Sequence, residues 1–228
     1  MTVKPNSKKL AALYEKYGII VILILEVIFF SIKSPTFLKL DNILLVSRQV
    51  SFYGIAAVGM TMVLLVGEID ISVGSILAFS GCLSAVLITK AAVPVALACL
   101  IAIVISTFFG LLSGTLTTIC KVPSLIATLA MQIIIKGCTY LMTGGTAVSG
   151  LPDNFKFMGQ GFLLGRIPVP VVVWLVIFLL GLFVLNKTYI GRRIYAVGGN
   201  KEAARLSGIK TTGIVIGTFV CSAFVAGI

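Results

Sequence analysis

Few residues in this chain could do chemistry. Two carboxylates, Glu68 and Asp70, stand two apart in V-G-E-I-D-I-S-V-G-S (Val66–Ser75), between two long apolar runs. A charge at membrane depth costs roughly a few kcal/mol or more, so it faces a cavity or a partner. Two readings stay open. In one, Asp70 or Ser72 caps a helix starting near Val73, and Gly67 and Gly74 relax the backbone at a turn. In the other, the stretch is a broken helix lining a solute path. Glu26 and Lys136 are isolated ionisable residues inside apolar runs. Each is either a coupling site or a group that snorkels or pairs within a bundle.

Other chemistries drop out. With no histidine, His-based metal sites, triads and proton relays are excluded. There is no G-x-x-x-x-G-K-[ST], so the chain does not itself hold ATP in a P-loop. The five cysteines (Cys82, Cys99, Cys120, Cys138, Cys221) lack C-x-x-C spacing and read as small buried hydrophobes.

The one long polar stretch in the second half that is rich in charge runs from Asn186 to Thr212. Its six cations, Lys187, Arg192, Arg193, Lys201, Arg205 and Lys210, accompany a single anion, Glu202. Lipid tails cannot solvate it, so it lies in water. Inside it the residues mark one short helix: Asn200 as N-cap, Glu202 in the first turn, Arg205 in the last turn and Gly208 at C′. Ala203, Leu206 and Ile209 recur every three residues and form an apolar strip. A helix of about two turns is not stable alone. The strip either packs back on its own chain or meets a partner.

Elements must position these groups. The 228 residues are 59% hydrophobic and 11% charged, with mean hydropathy +1.16. A soluble domain is about 45–50% apolar and about 25% charged. The apolar runs are continuous rather than alternating, which selects helices over a barrel. The fold class is all-α: one polytopic transmembrane helical bundle over residues 1–228. Seven spans are expected: Tyr17–Ile32, Ile43–Val66, Val73–Thr89, Val93–Thr117, Ser124–Met142, Val169–Leu185 and Gly213–Ile228. Met1–Lys16 is a polar tail, Lys33–Asn42 a turn, and Thr143–Pro168 a polar, Gly-rich connection. Within that connection, Thr143-Gly144-Gly145-Thr146 is either a flexible turn, or a gate or docking surface for an external partner. Gly110-x-x-x-Gly114 and Gly213-x-x-x-Gly217 are candidate close-packing motifs.

The net charge of +11 is dispersed between spans, which points to topology rather than nucleic acid. With the N-terminus in the cytoplasm, the inner cations are Lys4, Lys8, Lys9, Lys16, Lys121 and the six of 186–212. The outer ones are Lys33, Lys39, Lys90, Lys156 and Arg166. The excess lies inside, as the positive-inside rule asks. The 186–212 stretch is then a cytoplasmic loop and a dock for a soluble partner. The seventh run ends at Ile228 without a cationic flank, an ending expected of a partial chain.

Three stretches in fixed order resemble the membrane permease subunits of ribose-type sugar ABC importers. They are Gly59–Ser75 (G-M-T-M-V-L-L-V-G-E-I-D-I-S-V-G-S), Val122–Met131 with Leu141–Gly145, and Gly191–Ile209 (G-R-R-I-Y-A-V-G-G-N-K-E-A-A-R-L-S-G-I). One departure is Glu68, which precedes Ile69-Asp70 here, where the family commonly has Gly-Ile-Asp preceded by a small or polar residue. Another is length: the family has about ten spans. The resemblance implies a membrane subunit, not an enzyme, in the bacterial inner membrane, paired with a second permease subunit. It implies a cytoplasmic ABC ATPase that carries the ATP and Mg, so this chain needs no cofactor. It also implies an extracytoplasmic sugar-binding protein that delivers a monosaccharide, ribose-like or a related sugar. Gly198–Ile209 resembles the helix that couples to the ATPase, through Gly198, Gly199, Asn200, Glu202, Ala203, Arg205, Leu206 and Gly208. Weaker assignments for the path are Asp70, Ser72, Gly74, Thr128, Met131 and Gly144. The competing class is an ion-coupled secondary transporter using Glu26, Glu68 or Asp70.

Overall fold

Continuous apolar sequence punctuated by Pro and Gly gives long helices joined by short turns. The computed structural model describes the backbone of residues 5–228 and side chains from Tyr17 onward. The polar tail expected over residues 1–16 therefore falls largely outside what is described. The chain divides into two units, residues 1–47 and 48–228.

The first unit holds α1 (Pro5–Lys33) and the start of α2 (Leu40–Leu65). The turn between them is tied by a hydrogen bond that Asn42 Nδ2 donates to the Phe37 carbonyl at 2.8 Å, and Phe30 stacks on Phe37. Glu26 is exposed on α1, and no ion pair engages it among the described residues.

The second unit carries the rest of α2, then α3 (Val73–Lys90), α4 (Val95–Thr118), α5 (Ser124–Thr143), α6 (Asp153–Gln160), strands β1 (Phe162–Leu163) and β2 (Ile167–Pro168), α7 (Val169–Lys187), α8 (Tyr189–Gly199), α9 (Lys201–Leu206) and α10 (Thr211–Gly227). Each of the seven expected apolar runs falls in a helix. Among the described residues five helices, α2, α3, α4, α5 and α7, are long and apolar enough to cross a membrane; α10 is apolar but shorter, at 17 residues. The chain is thus a polytopic helical membrane protein.

The second unit is organised around α10. Val215, Phe219 and Ala223 on it are fully buried. The α4 face toward it is made of small residues at helical spacing: Ala98, Ala102, Ser106, Gly110, Ser113 and Gly114. Leu100, Val104, Phe108 and Leu111 point away from the protein. Small residues inward and bulky ones outward is the pattern of a helix solvated by lipid, where van der Waals packing holds helices together. A Cβ on Gly110 would lie 2.5 Å from the Phe219 carbonyl, and one on Gly114 3.0 Å from Ile216 Cα. The Gly110–Gly114 motif is therefore a true contact with α10. Gly213 and Gly217 have nothing within 4 Å, so that motif packs against nothing in this chain. A Cβ on Gly59 of α2 would meet Ser222 Cα at 2.7 Å, so α2 also reaches α10.

The connection 143–168 is more ordered than its composition suggested. It contains α6 and a two-residue antiparallel pairing, Phe162 with Pro168 and Leu163 with Ile167. Leu164 and Gly165 turn between those strands with positive φ.

Candidate functional site

The α2–α3 turn is where the carboxylates lie. Gly67 takes φ +83°, a conformation glycine adopts without strain, and the chain leaves α2 there. Asp70 and Ser72 are fully buried. Asp70 Oδ1 accepts from the Ser72 amide at 2.9 Å and from Ser72 Oγ at 2.6 Å, while Ser222 Oγ donates to Oδ2 at 3.4 Å. The expected capping is corrected in detail. Ser72 stands at the N-cap of α3, but its hydroxyl bonds to Asp70 instead of to a helix amide. Asp70 takes the amide of Ser72 itself and so closes the turn rather than capping the helix.

The first turn of α5 holds that turn from the other side. The Ile69 amide donates to Ser124 Oγ and the Ile71 amide to Thr128 Oγ1, both at 3.2 Å. At the far end of the same two helices, Lys90 Nζ donates to the Met142 carbonyl at 3.3 Å. Helices α3 and α5 are thus tied at both ends. Between the ties lies a cleft of about 690 Å³. Its α3 wall is small: Gly74, Ala78, Gly81, Cys82 and Ala85. Its α5 wall is polar: Gln132, Lys136, Thr139, Tyr140 and Thr143. Both sets recur at i, i+4, i+7, i+8 and i+11, one face of each helix.

Of the six residues assigned to the path, only Gly74 lines this cleft. Asp70, Ser72 and Thr128 are buried in the turn just described, and Met131 packs in the core with Ile76, Phe79 and Leu83. Gly144 is the left-handed C-cap of α5, its amide donating to the Tyr140 carbonyl at 2.8 Å. The polar stripe on α5 was missed, although its spacing was present in the sequence.

The charged stretch forms two helices, not one. Helix α8 was unforeseen. Thr188 caps it by accepting from the Gly191 amide, and Gly191, Ile194 and Val197 face inward. Helix α9 has the expected ends. Asn200 Oδ1 accepts from the Ala203 amide at 2.9 Å. Gly208 takes φ +83°, with Gly208 N to Arg205 O and Ile209 N to Ala204 O both at 3.0 Å, a Schellman stop. Arg205 pairs with Glu202 through two hydrogen bonds. That bond first, and the guanidinium charge second, hold the Glu202 carboxyl below the usual carboxylate range.

The expected apolar strip is corrected. Ala204 is the buried residue of α9, in a cluster with Val63, Val66, Val197 and Phe219 that Ile209 also joins. Ala203 is exposed, and Leu206 is 77% exposed. The helix therefore packs back on its own chain and presents a second face as well. Gly198 belongs to the inward side: a Cβ there would sit 1.7 Å from the Leu65 carbonyl oxygen of α2. Gly199 has nothing within 4 Å.

A smaller cleft of about 390 Å³ joins the two regions, lined by Glu68, Lys121, Ser124, Lys201 and Thr212 among others. No group of His, Cys, Asp or Glu among the described residues could hold a metal.

Residues 42–228 match the family model described as "Branched-chain amino acid transport system / permease component". The chain belongs to that permease family. It is a transport subunit and not itself an enzyme. The permease is 38% identical over 95% of its length to the ribose import permease protein RbsC of Haemophilus influenzae. It is 41% identical over 89% of its length to the RbsC of Bacillus subtilis, and 36% over 94% to the L-arabinose ABC transporter permease protein AraH of Azospirillum brasilense. It spans 67%, 63% and 63% of those proteins' own lengths. No solved structure matches the permease at a significant level.

Proposed function

We propose that this permease is the membrane-spanning subunit of an ATP-binding-cassette importer in the bacterial inner membrane. It carries a monosaccharide, a ribose-like pentose or related sugar, into the cytoplasm. ATP is hydrolysed on a separate cytoplasmic subunit, a solute-binding protein delivers the sugar outside, and a second permease subunit completes the pore. The observation that carries this reading is the α3–α5 cleft. A polar stripe on a membrane-spanning helix facing small residues is wasteful in lipid and useful around a hydroxyl-rich solute. The relatives named above, ribose and L-arabinose permeases, favour sugars of that class.

The outer face of α9 is the proposed contact with the ATPase, through Gly199, Asn200, Glu202, Ala203, Arg205, Leu206 and Gly208. Gly198 supports that face from behind. Asp70, Ser72, Thr128 and Met131 act behind the path rather than along it, Gly74 lines it, and Gly144 ends the helix that carries it.

The test is uptake by the permease reconstituted in vesicles with its ATPase and solute-binding partners. ATP-dependent, vanadate-sensitive sugar accumulation that survives an uncoupler is expected. Accumulation that collapses on uncoupling alone would replace the reading with an ion-coupled carrier.

A further inference from the structure

Among the described residues several polar side chains of the cleft lack partners, Gln132, Tyr140, Lys136 and Ser75 among them. Lys136 sits midway along α5, seven residues from its end at Thr143, and lines the cleft. Among the described residues its ammonium makes no ion pair and no hydrogen bond. Ser75, on the facing helix, lines the same cleft; it is 4% exposed, and its Oγ has no hydrogen-bond partner. An unpaired buried hydroxyl is costly, and so is an unpaired cation at membrane depth; Lys136 itself is exposed to the cleft. Such groups persist where something that visits the site satisfies them.

The lining also narrows what that visitor is. It holds an amide (Gln132), hydroxyls (Thr139, Tyr140, Thr143, Thr146, Ser75) and one cation, with no carboxylate. A lysine ammonium has three donors and no acceptor capacity. It calls for clustered oxygen lone pairs and repels positive charge.

We propose that Lys136 is the specificity-determining donor of the cleft. It engages adjacent hydroxyl oxygens of a polyhydroxylated solute, and cations are turned back. The assignment rests on the cleft being the solute path.

The experiment uses the complete importer in vesicles, with ribose as probe and Lys136→Met, Lys136→Arg and Lys136→Cys variants, the last in a background without other cysteines. Lys136→Met should lower ribose uptake about tenfold, the loss expected on removing a hydrogen bond from a charged donor. The Lys136→Met permease should still co-purify with the ATPase subunits and keep the wild-type thermal unfolding midpoint, which shows a folded, docked complex. Lys136→Arg should restore most uptake. Lys136→Cys should react with an anionic thiol reagent, and turnover with ribose should slow that reaction. Undiminished uptake in Lys136→Met, or labelling of Lys136→Cys that ignores ribose, would overturn the assignment alone. A wild-type complex with no ATP-driven uptake of any sugar would overturn the path reading beneath it as well.

Discussion

Lys201, the first residue of α9, places its Nζ 3.4 Å from Oε1 of Glu68 in the α2–α3 turn. The two lie 133 residues apart in sequence. The Glu68 side chain is 17% exposed and that of Lys201 51%. The pair joins the helix proposed to meet the ATPase to the turn whose other carboxylate, Asp70, is tied to α10. A half-exposed pair adds at most about 1 kcal/mol to stability, so its effect should show in coupling rather than folding. Glu68→Gln and Lys201→Met should each lower sugar transported per ATP hydrolysed, with little change in thermal unfolding. The exchanged pair, Glu68→Lys with Lys201→Glu, should recover part of the loss. Additive losses in the exchanged pair would show that the contact carries no coupling.

Neighbouring glycines in α8 should behave differently. Gly198→Ala drives a Cβ into the Leu65 carbonyl, a backbone atom that cannot rotate away. Overpacking of this kind costs about 1–3 kcal/mol. Gly199→Ala meets open space and should leave stability unchanged or slightly raised. Thermal unfolding in detergent distinguishes them, and equal midpoints would contradict the close approach of α8 to α2.

Asp70→Ala should expose the α2–α3 turn. It strands the buried Ser72 amide and hydroxyl, about 1–3 kcal/mol for each unsatisfied group. Asp70→Asn keeps an acceptor and should lose less. Amide hydrogen exchange at Ser72 and at Ile71, which donates to Thr128, reads the effect directly. Unaltered protection in Asp70→Ala would show that the turn is held by α5 alone.

Glu202 gives a pH prediction. Its carboxyl is depressed by Arg205, so the pair holds above the unfolded glutamate value and is lost only as pH falls through the lower folded value. Coupling through α9 should therefore be flat from about pH 7 to about pH 5, where an ordinary glutamate is still mostly ionised. In Glu202→Gln, coupling should be reduced at every pH in that range. A midpoint within it that disappears in Glu202→Gln would contradict the assignment.

The apolar helices were legible because apolar length is a local property, and so were the ends of α9, because Asn200 and Gly208 act within a few residues. What depends on neighbours was not. Three-residue spacing put Ala203 and Leu206 on the apolar strip, yet a six-residue helix offers too few turns for spacing alone to choose its buried face. The cluster with Val63 and Phe219 chose Ala204. Helix α8 was hidden because only Gly191, Ile194 and Val197 face inward, too few positions for a helical period to stand out beside Arg192 and Arg193. The place of α10 at the centre was illegible since apolar sequence reads alike whether it faces lipid or protein. The cleft needed α3 and α5 side by side, although the stripe from Gln132 to Thr143 could have been found by its period.

The central claim is that one face of α9 is gripped by a nucleotide-hydrolysing partner while the other is buried in the permease. The most direct measurement is cysteine crosslinking in the assembled importer, in a background without native cysteines, comparing Leu206→Cys with Ala204→Cys. Leu206 is 77% exposed and Ala204 5%. Leu206→Cys should crosslink to the ATPase subunit, with a yield that changes when ATP binds, and Ala204→Cys should not. A Leu206→Cys permease that transports normally and never captures the ATPase would contradict the account.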